Sequence, residues 1–196
     1  ARRAQPRARG LGVVYKIQYI NSARDVRKTL TTNVQTFESG EAGYLGYIFA
    51  GEVQRFNDRP WRVRVHLPSN EKQALPDVPY IATYAGADGR FVRHAVDSGA
   101  QGLVVDAVGA GNVNADVYKA IEYALSKNIP VVITSQVYYG AVEPVYGDAG
   151  GGKTLMDKGC ILGGDLAGAK ARLVLMLGIA AHGNDPTQLK KLFEQE

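Results

Sequence analysis

The sequence predicts an α/β protein. A small parallel-sheet C-terminal domain covered by helices spans 80–196, and the tail of a larger α/β domain with a β-hairpin precedes it. Three observations carry this. After Pro79, short apolar runs alternate with segments of helical period, the grammar of a helix-covered parallel sheet. Those runs are apolar without alternation, as strands buried on both faces are. Before them, Pro68 to Pro79 holds three prolines, three charges and little periodicity, and reads as a linker. The expected organisation is therefore a partial N-terminal domain over 1–67, a linker over 68–79 and the C-terminal domain over 80–196.

In chain order, Leu11 to Ile20 reads as one strand. Ser22 to Phe37 is polar and without apolar period, and predicts an ordered loop; loops of this length in compact domains are usually functional or disordered. Tyr44 to Phe56 predicts a hairpin turning at Ala50-Gly51-Glu52. Arg62 to Leu67 alternates basic and apolar residues, as a half-buried strand does. Tyr80 to Tyr84 is a short apolar run, followed by a helix from about Asp88 to Ser98. Gly102 to Val108 is the second strand of the domain. Asn114 caps a helix whose Val117, Ile121, Ala124 and Leu125 share a face. Pro130 to Ser135 is a third strand and Ile161-Leu162 a short fourth. Leu166 to Ala181 is a long helix, apolar all round at Leu173 to Leu177, which places it in a core or at a subunit contact. The last helix opens with Asp185-Pro186-Thr187-Gln188, a cap followed by Pro at the first position, and its apolar face is Leu189, Leu192 and Phe193.

The chain has 196 residues, is 45% hydrophobic and 21% charged, and holds a single cysteine, which excludes a disulfide scaffold and a disordered tail. No run approaches the roughly 18 apolar residues of a membrane span. The net charge is +4, but Arg2, Arg3, Arg7 and Arg9 account for it, so the body of the chain is neutral. A nucleic-acid partner calls for positive charge on a folded face, and the reading here is a solvated basic end with no nucleic acid and no membrane as partner. Cys160, inside the apolar Cys160-Ile161-Leu162, reads as a small core residue. His66, His94 and His182 lack ligand spacing, so no metal site is expected.

Gly147 to Thr154 matches G-x-x-x-x-G-K-[ST] letter for letter, but no buried strand leads into it and only a short segment follows. A Gly-rich loop without nucleotide is the preferred reading. Gly109-Ala110-Gly111-Asn112-Val113-Asn114 sits between a strand and a helix, where α/β sheets bind ligands; Asn112 offers its amide to a small polar ligand, or the segment is a plain tight turn with a cap. Lys28 lies among Asp25, Thr29, Thr31 and Thr32. A lysine beside hydroxyls assists deprotonation of a nucleophile if its environment tunes it, and is otherwise solvated.

Four motifs in register resemble the bacterial-type L-asparaginases. Ser22-Ala23-Arg24-Asp25-Val26-Arg27-Lys28-Thr29 is similar to their Ala-Arg-Asp-Val-x-Lys-Thr segment, and Gly43-Tyr44-Leu45-Gly46-Tyr47 to their Gly-x-Leu-Gly-Tyr hairpin start. Gly109-Ala110-Gly111-Asn112-Val113 is similar to their Gly-x-Gly-Asn loop, and Gly164-Asp165-Leu166 with Lys170-Ala171-Arg172 to the start of their closing helix. The resemblance implies a two-domain amidohydrolase that converts L-asparagine, or L-glutamine, to the acid and ammonia without a cofactor. It also implies a homo-oligomer, dimer or tetramer, with sites between paired subunits, and favours a secreted or periplasmic location. It places the family's proton-transfer lysine on Lys28, and on Asn112 an asparagine contributed across the subunit boundary. The resemblance implies a Thr nucleophile, which in this chain would have to come from Thr29, Thr31 or Thr32 near Lys28, or from a complementing chain. The match covers about the last three-fifths of such an enzyme. The Thr-Gly-Gly-Thr and His-Gly-Thr-Asp-Thr motifs are not in this sequence, and Leu30 stands where an Asn is common. The expectation is a truncated asparaginase-type chain; the alternative is a catalytically inert scaffold or ligand-binding fragment of one.

Overall fold

The computed structural model describes residues 13–16, 19–58, 64–67 and 74–194. The chain divides into two compact units, Ala1–Arg62 and Val63–Glu196.

The first unit is built on an antiparallel sheet of order β1-β2-β5-β6. Strands β1 (Val13–Lys16) and β2 (Tyr19–Ser22) pair with Val13 opposite Ser22 and Lys16 opposite Tyr19. The single strand expected over Leu11 to Ile20 is therefore two strands of a hairpin. Apolar content alone does not reveal where a strand reverses. Strands β3 (Arg27–Lys28) and β4 (Phe37–Glu38) form a short ribbon that gives the polar loop its order. A 3-10 turn covers Gly40–Ala42. Strands β5 (Gly46–Phe49) and β6 (Glu52–Arg55) form the hairpin expected there. Its two-residue turn has positive φ at both Ala50 (50°) and Gly51 (87°). That is the twist a type I′ turn requires. Residues 64–67 form no strand, and 59–63 lie outside the described residues, as do 68–73 of the expected linker.

The second unit is a four-stranded parallel sheet of order β10-β9-β8-β7. Its strands are β7 (Tyr80–Ala82), β8 (Leu103–Ala107), β9 (Val131–Ser135) and β10 (Ile161–Leu162). Its helices are α1 (Arg90–Asp97), α2 (Ala115–Ser126), α3 (Gly152–Asp157), α4 (Gly168–His182) and α5 (Pro186–Lys191). The pleat sends alternate side chains to opposite faces. Leu103, Val105, Val131 and Ile133 pack with Val92, Val96, Val117, Ile121 and Leu155. Val104 and Val132 pack on the other side with Leu166, Leu175, Ile179, Leu189 and Phe193 of the C-terminal helices. Every residue of β8 is buried, which is why that strand is apolar at every position but Asp106. Val78 joins the second core fully buried. Asn114 caps α2 by accepting from the N–H groups of Asp116 and Val117, and Asp185 caps α5 in the same way.

Candidate active site

The parallel sheet ends in a cluster of polar side chains at the carboxyl edge of β7, β8 and β9. Asp106, the fourth residue of β8, is buried. Its Oδ1 accepts the hydroxyl of Thr134 on β9 at 2.7 Å, and its Oδ2 accepts the hydroxyl of Tyr80 on β7. Its main-chain carbonyl accepts from the Thr83 hydroxyl at 3.0 Å, the Thr83 N–H at 2.9 Å and Gln136 Nε2 at 2.9 Å. Gln136 Nε2 also donates to the Thr83 carbonyl at 2.6 Å. A buried carboxylate is tolerable when such bonds replace water, and this one ties three neighbouring strands together. The sequence pointed to it: an acid stands inside the run Leu103-Val104-Val105-Asp106-Ala107. Motif reading passed it over.

Above this network lies the loop from Val108 to Asn112. It closes on itself, with the Asn112 N–H donating to the Val108 carbonyl at 2.9 Å and the Val108 N–H to the Asn112 carbonyl at 3.1 Å. Ser135, the last residue of β9, donates its hydroxyl to the Gly109 carbonyl at 2.6 Å. The Glu143 N–H donates to the Ala110 carbonyl at 3.0 Å. The half-buried Asn112 side chain accepts the Gly152 N–H on Oδ1 at 3.4 Å. Its Nδ2 lies beside Gly109, where a Cβ would come within 3.8 Å of it. Asn112 thus stands at the end of the sheet where open α/β folds take ligands, its carbonyl oxygen engaged and its NH2 the group offered.

The stretch Gly147 to Thr154 is not a phosphate cradle. A Cβ at Gly150 would lie 2.2 Å from the Val113 carbonyl oxygen, and one at Gly152 would lie 2.6 Å from that of Glu143. These glycines are required by close backbone approach, which is why their pattern coincides with a phosphate loop. The Lys153 ammonium pairs with Asp157 at 2.9 Å, one turn along a helix of six residues.

Lys28 and Thr29 lie in the first unit. Lys28 ends β3, exposed, with its ammonium 5.6 Å from the centre of the Phe37 ring. Thr29 donates both its N–H, at 2.7 Å, and its hydroxyl, at 3.2 Å, to the Thr36 carbonyl. The buried Thr36 hydroxyl in turn accepts the Leu30 N–H at 2.7 Å and donates to the Leu30 carbonyl. Lys28 and Thr29 are therefore placed by a ladder and a threonine clamp within a loop whose tip, from Thr31 to Gln35, is exposed. Burial pushes the Cys160 thiol up to about 12, so it is a neutral core group. Among the described residues no cluster of His, Cys, Asp and Glu could hold a metal ion, and no helix is long and apolar enough to cross a membrane.

A four-stranded parallel sheet flanked by helices, with a Gly-Ala-Gly-Asn loop at its carboxyl edge, defines a small α/β domain. The chain belongs to the glutaminase/asparaginase family: the model of the Glutaminase/Asparaginase C-terminal domain matches residues 77–193. It is 35% identical over 178 residues to an L-asparaginase of Bacillus licheniformis, covering 90% of this chain and 54% of that protein. It is 32% identical over 194 residues to a probable periplasmic L-asparaginase of Haemophilus influenzae, covering 97% and 54%. Against L-asparaginase 2 of Escherichia coli K12 it is 33% identical over 176 residues, covering 88% and 48%. The chain spans about half the length of these curated relatives.

Proposed function

We propose that the chain serves hydrolysis of the side-chain amide of L-asparagine, with L-glutamine as the second substrate, and that it works as a homo-oligomer. Relatives named as L-asparaginases along about nine-tenths of its length carry this reading. In it Lys28 moves the proton that activates a threonine nucleophile, Thr29 being the candidate in this sequence. The nucleophile adds to the amide carbon, ammonia leaves with the proton so gained, and water releases the acid. Asn112 donates its NH2 to an acceptor on the substrate. Any catalytic lysine must sit close to its hydroxyl and be desolvated.

Two observations favour the alternative of a catalytically inert scaffold. The Thr29 hydroxyl is committed to the Thr36 carbonyl, and Lys28 is exposed. Ammonia release from L-asparagine by the purified chain separates the two, once intact mass has excluded a host asparaginase. Saturable release that falls at least about 100-fold in Lys28→Ala, the scale of a lost general base, supports the amidohydrolase. Loss of the same size in Thr29→Val assigns the nucleophile. No release, or release unchanged in Lys28→Ala, supports the scaffold.

A further inference from the structure

We propose that Ser135 is a positioning residue for Asn112, a role that deepens the amidohydrolase reading by saying what sets its substrate-side amide. The loop from Val108 to Asn112 is closed by its own backbone pair, so it can move as one body about the ends of β8. Three bonds from outside fix that body. The Glu143 N–H holds the Ala110 carbonyl, the Gly152 N–H holds Asn112 Oδ1, and the Ser135 hydroxyl holds the Gly109 carbonyl. The first two are main-chain donors, present whatever side chain stands there. Among the described residues, Ser135 is the side chain from outside the loop that makes such a bond.

Its own position is determined in turn. Ser135 ends β9 in register with Ala107 at the end of β8, and its oxygen accepts the Val137 N–H at 3.1 Å. That acceptance turns the hydroxyl hydrogen toward Gly109. Gly109 is where the effect on Asn112 must arise, because it has positive φ, 53°, and lies next to Asn112 Nδ2. Releasing its carbonyl frees the peptide plane beside the NH2 group. The released carbonyl is near solvent, so water replaces the lost bond at little cost in stability. The consequence is loss of orientation rather than loss of fold.

The test uses the full chain labelled with 15N-asparagine. The side-chain NH2 pair of Asn112 is followed in the parent, in Ser135→Ala and in Ser135→Thr. Asn114 and Asn184 are internal controls, since their NH2 groups donate elsewhere, to the Ala87 and Asn128 carbonyls. In Ser135→Ala the Asn112 pair shifts or broadens while the controls stay; in Ser135→Thr, which keeps the hydroxyl, the parental pattern returns. An Asn112 pair unmoved by Ser135→Ala overturns the proposal, as does movement of all three pairs together. If Ser135→Ala does not fold, Ser135→Thr decides, and an Asn112 pair displaced there overturns it. Titration with L-aspartate then addresses the substrate reading separately. Binding weakened about tenfold in Ser135→Ala and recovered in Ser135→Thr is the expected cost of a misplaced donor. If the parent's Asn112 pair ignores L-aspartate but answers to Ser135→Ala, the positioning role stands and the amidohydrolase reading falls.

Discussion

A carboxylate in the middle of a parallel sheet costs several kcal/mol to desolvate unless hydrogen bonds take the place of water. Asp106 meets this condition through hydroxyls of the strands on either side, Tyr80 and Thr134. Thr134→Val keeps the shape of the side chain and removes one donor to a buried carboxyl group. It should lower stability by about 1.5–3 kcal/mol, read as a lower urea midpoint with unchanged m. A loss below about 0.5 kcal/mol would mean that Asp106 is not held by this bond. Cys160 gives the opposite case, a group kept neutral by burial. Its thiol ionises near the ordinary value of 9.0 when unfolded and at about 12 when folded. The folded state is therefore favoured fully below pH 9, and this contribution is lost as pH rises from 9 toward 12. At neutral pH the native chain should leave an aromatic disulfide reagent unreacted and should release one equivalent of thiolate in denaturant. Fast reaction of the native chain would place Cys160 outside the core.

Helix α2 shows how one side chain can serve two elements. Asn114 Oδ1 accepts from Asp116 and Val117 at the start of the helix, while its Nδ2 donates to the Ala87 carbonyl at 2.7 Å, ahead of α1. Asn114→Ala removes both roles, and Asn114→Asp keeps only the cap. The expected costs are about 1–2 kcal/mol for alanine and less for aspartate, measured by thermal unfolding followed in the far ultraviolet. Equal losses would show that the bond to Ala87 carries the effect. The cap was legible because capping chemistry is local: Asn stands directly before a run of period 3.6. The hairpin from Gly46 to Arg55 was legible for the same reason, with Gly51 at its turn. What is not local was not legible. The reversal between β1 and β2 depends on pairing between strands. The strand expected at Arg62 to Leu67 needs a neighbour that a period of two cannot supply, and 64–67 form none. At the candidate site, Asn112 could be placed from its position after a strand, but the role of Ser135 depends on a carbonyl 26 residues away.

At the scale of the chain, the second unit carries two cores on one sheet, and buried contacts of that sheet reach back past Pro79 to Val78. Val78 lies fully buried beside Val104 and Leu175. Its carbonyl accepts Arg172 Nε at 2.6 Å from α4. The neighbouring Asp77 carbonyl accepts the Gln101 N–H at 2.8 Å, and its N–H donates to Gln101 Oε1 at 3.1 Å. The family match begins at residue 77, where these bonds begin. We propose that residues 74–194 fold on their own, and that a fragment starting at Tyr80 is much weaker. Losing a buried valine costs about 1.5–3 kcal/mol, and each lost hydrogen bond about 1 kcal/mol more. Against the roughly 5–15 kcal/mol that stabilises a domain, the shorter fragment keeps a small remainder. Fragment 74–194 should unfold in one cooperative transition, and fragment 80–194 should melt at least about 10 °C lower. Equal melting temperatures would mean that the Val78 site collapses without cost. A fragment 74–194 with no cooperative transition would mean that this domain depends on the first unit to fold.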